Sequence, residues 1–163
     1  MVIVLMGPAG AGKSTVGRTL AARFGWRFAE ADDFHTPAHV AKMGRGEPLS
    51  DDDRSGWLDL LRTTMARAID RREPLVLACS ALAARHRAHL AGGLRGVRFV
   101  YLKADRDVLT ARLLGRPELL AKAPLLLDSQ LETLQEPGDE ALTLDGASGV
   151  DTIVGHIRLA FGV

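Results

Sequence analysis

Residues 7–14 read GPAGAGKS, directly after the apolar run VIVLM, and their last two residues open the run KSTVGRTLAARF. The octet fits G-x-x-x-x-G-K-[ST] through Gly7, Gly12, Lys13 and Ser14. Its flanks restrict the fold more than the motif does. VIVLM is short and rich in β-branched residues, so it reads as a buried strand. The spacing of Val16, Leu20 and Phe24 is that of a helix. Strand, glycine loop and helix in that order make a phosphate cradle. Glycines let successive backbone N–H groups curl round an anion without Cβ clashes. The helix then turns its positive end to the same anion. In this reading Gly7, Ala9, Gly10, Ala11, Gly12, Lys13, Ser14 and Thr15 hold a nucleoside triphosphate. Lys13 reaches the β- and γ-phosphates, and the Ser14 hydroxyl serves Mg2+.

The alternation continues along the chain. Short apolar runs at 26–30, 74–79, 97–102 and 141–144 read as strands. Helical patterns fill about 36–44, 54–71, 82–91, 105–114, 124–135 and 149–161. This predicts βαβ units: a three-layer α/β fold with a parallel sheet of about five strands and helices on both faces. The 163 residues make about one domain, and 47% hydrophobic content is enough to fill its core. Two polar, turn-rich segments read as excursions: GRGEPLSDDD at 44–53 and GRPELLAKAP at 115–124, the latter as a lid.

Charge and cysteine content narrow the partners. The 21 basic and 20 acidic residues leave a net charge of +1, which argues for neither nucleic acid nor membrane binding. No apolar run approaches the ~18 residues of a membrane span, and the N-terminus lacks the basic region of a secretory signal. A single cysteine, Cys79, permits no intrachain disulfide and no cysteine-rich zinc site, in keeping with a reducing, cytoplasmic setting.

Glu30, Asp32 and Asp33 stand at the end of the second predicted strand. Ligands of open α/β sheets bind beyond the carboxyl ends of strands, so these acids belong beside the phosphate loop. One of the three can orient and deprotonate a hydroxyl that attacks the γ-phosphorus, and another can meet Mg2+ through water.

Longer stretches carry a family resemblance: VLMGPAGAGKST, DDFHTPAHVAKMGRGEPLSDDDRSGWL, CSAL followed by basic residues, FVYLKADRDVLTARL and SQLETLQEP. With these the chain resembles the gluconate kinases, small P-loop kinases related in fold to shikimate and adenylate kinases. The resemblance spans most of residues 3–137. It implies ATP and Mg2+ as cofactors, a sugar acid as acceptor and a homodimer. It gives Asp32 the acceptor hydroxyl and the role of base, and it puts Glu30 near Mg2+. It places His35 and Lys42 in the sugar-acid segment, about residues 32–60, and makes Arg54 and Arg87 partners of the substrate carboxylate. A planar guanidinium suits that task because it grips a carboxylate through two hydrogen bonds. His35 could instead cap a helix before Pro37, and Lys42 could be a solvated charge.

The lid departs from the family pattern. RLLGRPELLAKAPLLLDSQ lacks the usual Gly-His-Phe and partly resembles the shikimate kinase lid. His39 stands where the family has asparagine, and Ala83 where a basic residue is common. Arg112 precedes the lid and Arg116 lies within it, and either could meet the transferring phosphoryl group or stack on adenine; Arg116 is the expected catalytic one. The reading favours phosphorylation of gluconate at its 6-hydroxyl. Another polyhydroxy acid, or an ATP-binding regulatory protein without transfer activity, stays open.

Overall fold

The computed structural model describes residues 1–45, 47, 49–117 and 123–163. The five strands are β1 (Val2–Met6), β2 (Arg27–Glu30), β3 (Leu75–Ala78), β4 (Val97–Lys103) and β5 (Ala141–Asp145). The helices are α1 (Lys13–Phe24), α2 (Pro37–Gly44), α3 (Asp51–Asp70), α4 (Ala84–Ala91), α5 (Arg106–Leu114), α6 (Ala123–Thr133) and α7 (Val150–Phe161). The strands form one parallel sheet in the order β2-β3-β1-β4-β5, as the alternating pattern predicts. The register sets Val2 of β1 between Leu75 of β3 and Val97 of β4.

Side chains alternate across a strand, so each face of β1 feeds a separate core. Ile3 and Leu5 pack with Val16 and Leu20 of α1, Leu109 of α5 and Ile157 of α7. Val2, Val4 and Met6 pack with Leu61 and Met65 of α3 and Leu90 of α4. Burial on both faces explains why VIVLM is apolar without alternation. α1 lies close against the sheet because Gly17 has no side chain there; an added Cβ would sit 2.5 Å from Phe28 Cε2.

The strand order puts the switch point at β1 and β3. From the carboxyl end of β1 the chain turns into α1 and β2, while β3 leads through α4 to β4 on the other side. The crevice of such a sheet opens there.

Two elements differ from the sequence reading for local reasons. α3 starts at Asp51, within the segment read as polar excursion, because Ser50 and Asp53 form a capping box. The Ser50 hydroxyl accepts the Asp53 N–H at 3.1 Å and the Asp53 carboxylate accepts the Ser50 N–H at 3.0 Å. A 3-10 turn over Ala31–Phe34 then carries the acids away from β2. At α2 the cap is Thr36, whose hydroxyl accepts the His39 N–H at 3.2 Å, with Pro37 opening the helix. His35 is therefore not the cap. Residues 118–122 of the expected lid lie outside the described residues.

Candidate active site

The loop between β1 and α1 is shaped by glycines at positive φ. Gly7 (φ 137°) cannot carry a Cβ, which would lie 2.9 Å from the Leu102 carbonyl oxygen, and Gly12 (φ 95°) turns the chain into α1. Lys13, Ser14 and Thr15 form the first turn of α1, where backbone N–H groups have no partner within the helix. The first intrahelical bond is Val16 N–H to Gly12 O, at 2.9 Å. No acid occupies that turn, so its positive end is left for an anion.

Lys13 curls back over the loop and donates from Nζ to the Pro8 carbonyl at 3.0 Å. Burial lowers its pKa, and Arg116 pushes the same way. Cys79, Asp32 and Glu30 oppose this. The Cys79 thiol is itself pushed up to about 12 by burial, so at neutral pH it carries no charge. Asp32 and Glu30 are thus the effective counter-charges of Lys13. The structure brings together the loop lysine, both acids and Arg116, from β1–α1, the end of β2 and the end of α5.

The two acids are placed differently. Glu30 is half-buried, and its nearest cation is Arg18 at 4.0 Å. Asp32 projects from the 3-10 turn with its side chain 83% exposed, 3.9 Å from His35 Nε2. Asp33 is also exposed.

Arg112 and Arg116 border a cleft of about 410 Å3 formed with Gly12, Thr15, Gly146 and Ser148. Arg112 is held in place: it donates from Nη1 to Gly10 O at 3.1 Å and from Nη2 to Gly146 O at 2.8 Å. Its guanidinium clamps the phosphate loop to the β5–α7 turn, and its plane forms part of the wall.

On the other side of Asp32 lies a polar cluster. Asp53 receives Lys42 Nζ at 2.6 Å and stands 3.6 Å from His39 Nε2. The Lys42 ammonium, with the Ser50 groups, holds the Asp53 carboxyl well below the usual range. His35 stacks on Trp57 at 4.7 Å and meets His39 edge-on. Trp57 in turn donates from Nε1 to Ala31 O at 2.9 Å, tying α3 to the 3-10 turn. A cavity of about 370 Å3 opens beside Phe34, His39, Asp53 and Trp57. Lys42 is thus engaged by Asp53, whereas half-buried Arg54 has no side-chain partner among the described residues.

Arg87 departs from the sequence reading. It is 1% exposed and held by three neighbours. Nε donates to Glu140 Oε1 at 2.6 Å, and Nη1 donates to the carbonyls of Ala81 (3.1 Å) and Leu82 (3.0 Å). A guanidinium this deeply buried, and turned towards Glu140 and two backbone carbonyls, is closed off from a substrate carboxylate in the cleft. Its work is to fasten the 80–84 loop, where Ala81 adopts a left-handed φ of 43°.

The sequence reading missed two residues of SQLETLQEP. Gln130 accepts the Ala9 N–H of the phosphate loop at 2.6 Å. Gln135 accepts the Ala84 N–H at 2.7 Å and donates its own N–H to Leu82 O at 2.9 Å. The motif was visible, but its partners are more than fifty residues away.

Comparison with known proteins bears on the family and the fold. The shikimate kinase family model matches residues 9–141. The gluconokinase of Gluconobacter oxydans (strain 621H) is 41% identical over 138 residues, 85% of this chain and 77% of the relative. The thermoresistant gluconokinase of Escherichia coli (strain K12) is 41% identical over 84% of this chain and 78% of its own. The crystal structure of a gluconokinase from Sinorhizobium meliloti 1021 superposes with a TM-score of 0.83 at 37% identity, covering 99% of this chain and 94% of that one. Shikimate kinase from Acinetobacter baumannii, at 20% identity and a TM-score of 0.61, shares the fold. The chain belongs to the gluconokinase family of P-loop kinases, and its sequence also matches the shikimate kinase model.

Proposed function

We propose that the protein transfers the γ-phosphoryl group of ATP to the 6-hydroxyl of D-gluconate. The convergence of Lys13, Glu30 and Asp32 at the carboxyl ends of β1 and β2 carries this reading, because it sets a phosphate cradle against acids that can activate an alcohol. The gluconokinase relatives supply the acceptor.

Phosphoryl transfer asks the protein for positioning and charge rather than covalent chemistry. The N–H groups of the loop and of the first turn of α1 hold the triphosphate, and Lys13 neutralises its β- and γ-oxygens. Arg54, which has no side-chain partner among the described residues, grips the carboxylate of the sugar acid. Exposed Asp32 orients the hydroxyl. As its oxygen bonds to the γ-phosphorus, the proton passes to Asp32 and ADP leaves. Arg116 offers charge to the phosphoryl group, while Arg112 borders the adenine side of the cleft. His35 and Lys42 frame the acceptor pocket through Trp57 and Asp53.

The residues present suit Mg2+. Among the described residues no cluster of three or more His, Cys, Asp or Glu forms a cage, and Mg2+ does not need one, since it keeps waters and binds substrate phosphates. The Ser14 hydroxyl would hold it directly and Glu30 through water, and it would supply charge neutralisation between the β- and γ-phosphates. Residues 115–124 would act as the lid, and the enzyme would work as a cytoplasmic homodimer, which light scattering tests. No helix among the described residues is long and apolar enough to cross a membrane.

A coupled ADP-release assay with ATP, Mg2+ and a panel of acids tests the acceptor. Gluconate should stimulate turnover most strongly. Strong stimulation by a different polyhydroxy acid, with none by gluconate, would transfer the activity to that acid. The lid sequence and the shikimate kinase match favour such an acid as the second reading.

A further inference from the structure

We propose that Gln130 is a positioning residue for Lys13, acting through the Pro8–Ala9 peptide. That peptide is gripped on both edges. Its N–H, on Ala9, is accepted by Gln130 Oε1 at 2.6 Å. Its carbonyl, on Pro8, accepts Lys13 Nζ at 3.0 Å and the Ala11 N–H at 3.2 Å. A peptide unit is planar and stiff, so fixing its N–H fixes the direction of its carbonyl. Gln130 therefore sets the oxygen against which the Lys13 ammonium rests before it meets phosphate.

The support behind Gln130 is rigid. Leu127 is buried in the core beneath α1, α5 and α7, and Leu131 packs against it. Arg106 of α5 pairs with Asp128 at 2.6 Å. α6 thus carries packing from that core directly to the loop.

Gln135 provides a contrast within the same segment. It caps Ala84 at the start of α4, and among the described residues it makes no hydrogen bond to the phosphate loop. A general loss of packing would affect variants of both glutamines alike. A positioning role separates them.

This inference rests on the nucleotide reading of the loop. The test is calorimetric titration with ATP, with steady-state kinetics on gluconate, for wild type, Gln130→Met, Gln130→Ala and Gln135→Met. One lost hydrogen bond predicts about a three- to tenfold weaker ATP affinity in both Gln130 variants. The KM for gluconate should stay within about twofold and the Tm within a few degrees. Gln135→Met should bind ATP within about twofold of wild type. The proposal is overturned if Gln130→Met binds ATP as wild type does. It is equally overturned if variants of both glutamines lose ATP affinity in parallel with Tm. A wild-type protein that binds no ATP would remove the nucleotide reading itself, and the proposal with it.

Discussion

Helix α1, behind the phosphate loop, buries Val16, Gly17, Leu20 and Ala21, whereas α2, beside the acceptor pocket, buries no residue at all. Val40 and Met43 of α2 even face solvent. The nucleotide side is fixed by core packing, with Arg112 and Gln130 adding bonds to the loop backbone. The acceptor side is fixed by polar and aromatic contacts: Lys42 to Asp53, His35 on Trp57, Trp57 to Ala31. Packed cores resist deformation, while single polar contacts outside the core are individually weaker. ATP is common to many kinases and suits a preset cradle. The acceptor distinguishes them, and its side of the cleft can change without disturbing the core.

Kinetics can break this comparison. Asp32→Asn should lower kcat about 10²- to 10⁴-fold in the coupled assay while ATP binding persists, because it removes only the base. An unchanged rate would move that role to Glu30 or Asp33. Lys13→Ala should cost about 10²- to 10³-fold in kcat, the usual loss for one preorganised charge contact. Arg54→Gln should raise the gluconate KM by roughly 10- to 100-fold and leave the ATP KM alone, since a charge-assisted bond is worth about 1.5–3 kcal/mol. A rise in both constants would mean that the two sides are not independent.

Stability measurements sharpen it. Gly17→Ala places a Cβ 2.5 Å from Phe28 Cε2 and 3.1 Å from Leu5 Cδ1, beneath the nucleotide side. Overpacking of this kind costs about 1–3 kcal/mol, read from urea unfolding. The smallest effect concerns pH on the acceptor side. Burial lowers the pKa of His35 below its ordinary 6.5, against the pull of Asp32, with His39 adding to the decrease. The unfolded chain then binds the proton more readily than the folded one. Stability should therefore be full above pH 6.5 and fall as pH drops from 6.5 towards the lowered value. His35→Gln should flatten that slope in Tm scans; an unchanged slope would assign it to another group.

The residues legible in the sequence are those whose meaning is local. VIVLM followed by GPAGAGKS needs only its neighbours to be read as strand, loop and helix, and the apolar runs at β3 and β4 need only themselves. The capping box of α3 was also local, since Ser50 and Asp53 stand three apart in the sequence; the three aspartates could be read as helix-starting residues, but the part of Ser50 went unread. Arg87 was misread because its role depends on Glu140, fifty-three residues on, and on the carbonyls of a strained loop. Nothing in CSALAARHR marks the second of its two arginines, Arg87, as the buried one. Gln130 was hidden for the same reason, its partner being 121 residues away. Periodicity reports which face is apolar; it does not report which polar group crosses the fold to meet another.

Cys79 has a practical consequence. It is the chain's one thiol, it sits at 2% exposure, and burial pushes its pKa up to about 12. The thiolate is the reactive form, so alkylating and oxidising reagents find almost nothing to attack while the sheet is closed. Once β3 separates from its neighbours the thiol returns to ordinary reactivity. The molecule thus carries a built-in gauge of its own opening: the rate at which a maleimide reacts counts how often the centre of the sheet comes apart.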